Sequence, residues 1–338
     1  MTVLSQLSVP IVAAPMAGGP STPALVDAIA AAGGFGFLAA GYLTPEKLRE
    51  KMTAVTCDRY GVNLFYPQAP VTDLSPVDRY ADALAQVFAE HDAQVPDYAA
   101  ADPTDGFAAK LDVVCELRPS VVSCTFGLFT VAEVERLHER GIEVWMTVTN
   151  PQDAREAVTR GADALILQGP EAGGHRSTLT VAEEPDQRSL LELLGAVDVD
   201  KPVLAAGGLT TATAVRAALD AGAVAAACGT AFLLADEAGT AKLHREQVAR
   251  GGKTALTRAF SGRWARGIET QFMRDHLDAP AIYPHVNTLM KPVRSVTSDT
   301  NYVAAWAGTQ VKHAFMGSVA EIVSALTEGL PDNQSKTR

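Results

Sequence analysis

Short apolar runs alternate along most of the chain with longer segments in which apolar residues recur every three or four positions. The runs are PIVAAPM near 10–16, GFGFLAA near 34–40, YGVNLF at 60–65, SVVSCTF at 120–126, EVWMTVT at 143–149, DALILQG at 163–169, KPVLAAGG at 201–208 and GAVAAACGT at 222–230. They lack the polar alternation of a half-exposed strand, so each predicts a strand covered on both faces, as parallel strands are. Between them TPALVDAIAAAG, TPEKLREKM, VAEVERLHERG, PQDAREAVTRG and TATAVRAALDAG have helical periodicity, and several open on Thr or Pro and close on Gly. Eight such units predict an α/β fold, specifically a closed (β/α)8 barrel of the TIM type.

Two segments interrupt this rhythm. Residues 66–108 carry Pro, Asp and Ala around a helical stretch, VDRYADALAQVFAEH, and read as a long excursion at the rim. Residues 239–305 follow the eighth strand without a βα pattern and hold scattered aromatics in FSGRWARGIETQF and AIYPH. The chain then returns through HAFMGSVAEIVSALTEG. The expected organisation is a barrel from 1–238 and 306–330, a smaller, mostly helical substrate or lid domain at 239–305, and a flexible tail at 331–338.

A net charge of −11 over 338 residues, with no Lys/Arg cluster, argues against a nucleic-acid surface, because phosphate backbones need concentrated positive charge. The cysteines at 57, 115, 124 and 228 form no CxxC and no metal-like spacing, so no metal site is expected and reduced thiols in a cytoplasm fit best. No basic leader precedes an apolar run, and no run reaches the roughly 18 residues of a membrane helix. The expectation is a cytoplasmic protein without membrane partners; a homodimer is compatible with it.

In a parallel barrel the loops after the strands carry function, and those after strands seven and eight commonly hold a phosphate. Here they are AAGGL, with Gly207 and Gly208, and ACGTAF, with Gly229 and Thr230. Glycine lets backbone N–H groups approach an anion closely. One such loop would be no more than a tight turn, but two at this pair of positions favour phosphate binding. Other strand ends then line the rest of a ligand: Pro15, Met16 and Ala17 after strand one, Asn63, Ser123 and Thr125, and Gln168. Amides such as Asn63 and Gln168 suit the edge of a heterocycle, while Met16 by periodicity alone would be core. The stretch QGPEAGGHRST follows strand six; Gly173 and Gly174 allow a tight turn, and His175 projects above the ligand, where an imidazole exchanges protons near neutral pH. The other histidines, including His91, His138 and His244, read as ordinary helix-face or loop residues.

APMAGG, GVNLF, VSCTFG, QGPEAGGH, VLAAGG and CGTAFL, in this order, resemble the nitronate monooxygenase family, formerly called 2-nitropropane dioxygenases, and FSGRWARGIETQF resembles its substrate-domain signature. The resemblance spans nearly the whole chain, and EAGGH is its most specific element. It implies non-covalent FMN, with the phosphate at Gly207, Gly208, Gly229 and Thr230, the isoalloxazine and ribityl chain against Pro15, Met16, Ala17, Asn63, Gln168, Gly173 and Gly174, and His175 as the catalytic histidine. The implied reaction is oxidation of an alkyl nitronate by O2, through a flavin semiquinone, to a carbonyl compound and nitrite. Neutral nitroalkanes become substrates if His175 abstracts the α-proton. Two departures from the family pattern are Cys124, where a bulky aromatic is more usual, and the Thr in WAGTQ at 306–310.

Rival readings share parts of this pattern. An FMN-dependent enoyl-acyl-carrier-protein reductase or an NADH:quinone reductase would use the same barrel. A flavin-free isomerase or aldolase explains the glycine loops and His175 but leaves Asn63, Gln168 and PMAGG without a shared purpose. A non-catalytic flavin-binding protein makes poor sense of a histidine aimed at the ligand. Trp264, Phe272, Tyr283 and Tyr302 are candidates for the pocket wall, with a small core of their own as the alternative.

Overall fold

The computed structural model describes residues 2–331, so all but the first residue of the expected tail lies outside the described residues. Eight strands close a parallel barrel: β1 (Ile11–Ala13), β2 (Phe35–Ala39), β3 (Gly61–Phe65), β4 (Val121–Thr125), β5 (Glu143–Val148), β6 (Ala164–Gln168), β8 (Val203–Ala206) and β9 (Ala225–Cys228). Closure comes from β1, which pairs with β2 on one side and with β9 on the other, Ile11 opposite Ala226. Each strand lies within a predicted apolar run. The seventh strand lies between β6 and β9, one place later in the chain numbering because the short β7 (Gly174–His175) intervenes.

Helix boundaries follow local chemistry. The side chains of Thr22, Thr44, Thr130, Asn150 and Thr211 each accept a backbone N–H in the first turn of the helix that follows, a contact worth about 1 kcal/mol per helix. Pro23, Pro45 and Pro151 occupy first-turn positions. Gly33, Gly141, Gly161 and Gly222 then take positive φ as the chain leaves the helices.

Inside the barrel Phe35, Phe37 and Trp145 are fully buried with ring centroids 5.3 to 5.6 Å apart. Each contributes roughly 1.5–3 kcal/mol of burial, and together they fill the end where β2 and β5 begin. The opposite end, where the strands finish, is thereby left to a ligand. Alternate strand residues face outward: Leu64, Val122, Met146 and Leu167 pack under the helices with Cys124.

The excursion and the later segment meet. The predicted helix at 77–91 is two, Ser75–Ala83 and Ala85–Glu90, and its Val77, Tyr80, Leu84 and Phe88 share one apolar cluster with Phe260, Phe272, Leu289, Met290 and Val293. Tyr80 donates a hydrogen bond to Ala259 O at 2.9 Å. Segment 239–305 contains the helices Lys242–Arg250, Gln271–Asp275 and His285–Val296 and, beyond the sequence reading, the strands β10 (Thr254–Thr257) and β11 (Ala265–Ile268). β11 pairs antiparallel with β10 and with β7, so a strand from this segment grips the backbone of His175. The helices Phe107–Leu117 and Leu190–Ala196 were also not foreseen, and the return helix is confined to Val319–Thr327. Among the described residues no helix is long and apolar enough to cross a membrane.

Candidate active site

A cavity of about 940 Å³ opens at the C-terminal ends of the barrel strands. Its wall includes Pro15, Met16, Ala17, Asn63, Gln168, Gly173, Gly174, His175, Gly207, Gly208, Gly229 and Thr230, so the residues expected to hold a phosphate, a ring system and a proton meet in one place. Thr125 also lines it, whereas Ser123 is fully buried behind Asn63.

The loops after β8 and β9 form one side. Among the described residues the backbone N–H groups of Gly207, Gly208, Gly229 and Thr230 find no protein acceptor. Four such donors on residues of one cavity wall are what the oxygens of an anion would satisfy, since backbone N–H groups rarely stay unpaired in a native protein. Gly207 has φ +123, and a Cβ there would stand 2.9 Å from Ala172 N. Gly229, at φ −103 with 3.8 Å or more of clearance, is not required by the backbone. The WAGTQ stretch closes over these loops: Gly308 N donates to Thr230 Oγ1 at 2.9 Å, Thr309 N to Glu171 O at 3.0 Å, and Thr210 Oγ1 to Gln310 O at 3.1 Å. Gly173 abuts the same stretch. A Cβ there would lie 2.5 Å from Ala307 C and Gly308 N, so glycine serves the approach of two loops.

The amides of Asn63 and Gln168 are already engaged within the protein. Asn63 Nδ2 donates to Ser123 Oγ at 2.9 Å and Thr125 Oγ1 at 3.1 Å. Gln168 Nε2 donates to His175 O, and its Oε1 accepts from Ser177 N, both at 2.9 Å. Gln168 thus splints the backbone on both sides of Arg176 and fixes the placement of His175.

The His175 ring packs against Trp306, Phe126 and Tyr283, with ring centroids at 5.3, 5.7 and 5.9 Å. Tyr42 and Phe126, both lining the cavity, have φ +67 and +77, a conformation costly for non-glycine residues and concentrated at functional sites. Burial, then the Arg263 and Arg294 charges, lower the His175 pKa to about 3, so the imidazole is neutral throughout the physiological range rather than half-titrated as the sequence suggested. Arg263 is 1% exposed, lies 4.1 Å over the Phe126 ring, and donates to Gln68 Oε1 at 2.7 Å, to Arg176 O and to Thr178 O. Arg176 is fully buried and donates to Gly169 O and Gln168 O. Among the described residues neither guanidinium, nor that of Arg294 on the cavity wall, has a carboxylate partner. Asp102 and Asp105 line another part of the wall, but at His175 itself the nearby charges of Arg263 and Arg294 are positive and would favour a negative group beside the ring.

The depressed pKa of His175 has a stability consequence. Above pH 6.5 neither folded nor unfolded imidazole is charged; below it the unfolded state binds a proton that the folded state refuses down to about pH 3. Stability is therefore expected to fall as pH drops from 7 to 5 by about 2 kcal/mol more in the wild type than in His175→Asn, measured by urea denaturation.

Several cavity residues were not legible in advance. His244, assigned no role from sequence, lines the wall with its Nε2 2.9 Å from Trp306 O, and burial lowers its pKa. Asn287, Lys291 and Arg294 come from the helix His285–Val296. Of the four aromatics proposed for the wall, Tyr283 lines it; Phe272 and Tyr302 pack in the excursion cluster, and Trp264 donates to Glu184 beneath Arg258. Cys124 is buried under the helix layer with its thiol toward Gly127 O, so this departure does not touch the cavity.

The sequence profile described as nitronate monooxygenase matches residues 1–329. A nitronate monooxygenase of Pseudomonas aeruginosa is 34% identical over 97% of this chain and 98% of its own length. A probable nitronate monooxygenase of Bacillus subtilis is 31% identical over 90% of this chain and 91% of its own length. A crystal structure of nitroalkane oxidase from Streptomyces ansochromogenes superposes with a TM-score of 0.91 at 38% identity, covering 96% of each chain.

Proposed function

Because the chain belongs to the nitronate monooxygenase family, and is therefore an oxidoreductase, we propose that it oxidises alkyl nitronates with O2, using FMN, to a carbonyl compound and nitrite. The family is flavin-dependent, and the observation that carries the cofactor assignment is the set of unpartnered N–H groups at Gly207, Gly208, Gly229 and Thr230, which fits a phosphate. Pro15, Met16, Ala17, Asn63, Gln168, Gly173 and Gly174 would line the ring system and ribityl chain, with Gln168 and Asn63 acting mainly as splints. FMN supplies the one-electron and oxygen chemistry that side chains lack.

The protein's own share is binding, desolvation and proton control. The Arg263 and Arg294 charges favour the anionic nitronate next to His175. Phe126, Tyr283 and Trp306, packed around the His175 ring, would keep water from the reacting carbon. His175, neutral at its ring, has a nitrogen lone pair to offer the α-proton, and the negative charge of the nitronate formed beside it would offset the Arg263 and Arg294 charges that oppose its protonation, which would extend the reaction to neutral nitroalkanes. Segment 239–305 would act as the substrate lid, since it provides β11, Tyr283 and Arg294 to the site. Oxygen uptake and nitrite release from ethyl nitronate are expected together, to stop when FMN is stripped and to return when it is added. Uptake without nitrite would contradict the reading.

A further inference from the structure

Ser261 Oγ lies 2.9 Å from His175 Nε2 and 3.2 Å from Arg263 O, and Ser261 is 1% exposed. A hydroxyl has one proton to donate, so it serves one of these two acceptors. Arg263 is itself buried, and among the described residues its carbonyl receives no other hydrogen bond. Buried carbonyls are paired in native structures, so the hydroxyl proton goes to Arg263 O. Ser261 Oγ is then left as an acceptor with two lone pairs, one facing the Arg263 N–H at 3.4 Å and the other facing His175 Nε2 at 2.9 Å; with the hydroxyl proton committed to Arg263 O, the contact to His175 is a hydrogen bond only when Nε2 carries a proton. His175 Nδ1 has no protein partner among the described residues and is not among the buried unpaired atoms, so it opens to the cavity.

We propose that Ser261 is a positioning residue that holds His175 as the Nε2-protonated tautomer and thereby makes Nδ1 the atom that takes the α-proton of a neutral nitroalkane. This rests on the nitronate-oxidising reading of the cavity. In the step, the substrate C–H bond breaks, its electron pair becomes the C=N bond of the nitronate, and the displaced N=O pair becomes negative charge on oxygen. The proton forms a new bond to Nδ1. The transfer creates one charge of each sign, so the field of Arg263 and Arg294 that opposes the imidazolium also stabilises the nitronate beside it. The opposite tautomer would turn an N–H toward the substrate, and the imidazole could then only donate.

The test is ¹⁵N NMR of histidine-labelled holoenzyme at pH 7, with the His175→Asn spectrum identifying the His175 signals. The expected wild-type pattern is a protonated Nε2 and an unprotonated Nδ1, and Ser261→Ala should mix the two tautomers. In the same variant the ratio of kcat/KM for nitroethane to that for ethyl nitronate should fall about tenfold, and Ser261→Thr, which keeps the hydroxyl, should restore it. A protonated Nδ1 in the wild type overturns the proposal, as does a Ser261→Ala enzyme with unchanged tautomer and ratio. If Ser261→Ala does not fold, the wild-type spectrum decides alone. Full nitroethane turnover by His175→Asn would overturn the proposal as well, whereas a wild-type enzyme that releases no nitrite from ethyl nitronate would overturn the functional reading, an outcome independent of the tautomer pattern.

Discussion

Substituting His175 by asparagine is expected to lower kcat/KM for nitroethane about a thousandfold, within the range that positioned general bases contribute. The loss for ethyl nitronate should be much smaller, because that substrate arrives already deprotonated. Asparagine keeps a polar group of similar reach, and the residue's backbone is clamped by β11, with His175 opposite Ala265, and by Gln168. The variant should therefore fold and hold FMN, which separates loss of proton transfer from loss of the site. Stopped-flow reduction with both substrates measures this, and equal losses on the two would remove the base role.

The second large effect concerns the loop after β8. Gly207→Ala places a side chain at φ +123, a region that only glycine adopts readily, at a cost of about 1–3 kcal/mol. Its Cβ would also press on Ala172 N at 2.9 Å, and overpacking of this kind costs typically about 1–3 kcal/mol. The loop relieves both by moving away from Ala172, which disperses the N–H groups of Gly207 and Gly208. FMN affinity, read from the quenching of FMN fluorescence on binding, is expected to fall about a hundredfold, since each tenfold corresponds to about 1.4 kcal/mol. Gly195→Ala, in a helix where the added Cβ meets nothing within 4 Å, is the control and should bind FMN like the wild type. Wild-type affinity in Gly207→Ala would detach the phosphate from this loop.

The barrel was readable because its strands are buried on both faces, and Val, Ile, Leu and Ala runs such as ALILQ and VLAA have little else to be. The wall residues at strand ends followed from the same logic. What stayed hidden is tertiary. β7 is two residues long and has no period of its own; it exists because β11 lies beside it. The polar atoms of Asn63 and Gln168 looked free in sequence because their partners, Ser123, His175 and Ser177, are brought in by other strands and loops. Arg263 and Arg294 sit in stretches whose composition is ordinary for a surface, and nothing local says that the first is buried beside Phe126, that the second is half-buried on the cavity wall, or that among the described residues neither has a carboxylate partner. The pKa of His175 follows from those neighbours, so the sequence supplied its position and missed its charge state.

The shared cluster of Val77, Tyr80 and Phe88 with Phe260, Leu289 and Met290 gives a reason for the long excursion after β3. A helical segment laid over a barrel mouth exposes apolar surface on its far side, and the helices from 75–90 cover it. They thereby help hold the helix His285–Val296, and with it Arg294, over the cavity.

The most direct measurement of the central claim is the absorption spectrum of the purified protein, followed without oxygen as ethyl nitronate or, in a separate sample, NADH is added. The account predicts flavin absorption that changes promptly with the nitronate and is unaffected by NADH. A protein that stays colourless after added FMN, or one that NADH bleaches at once and ethyl nitronate leaves unchanged, would contradict it.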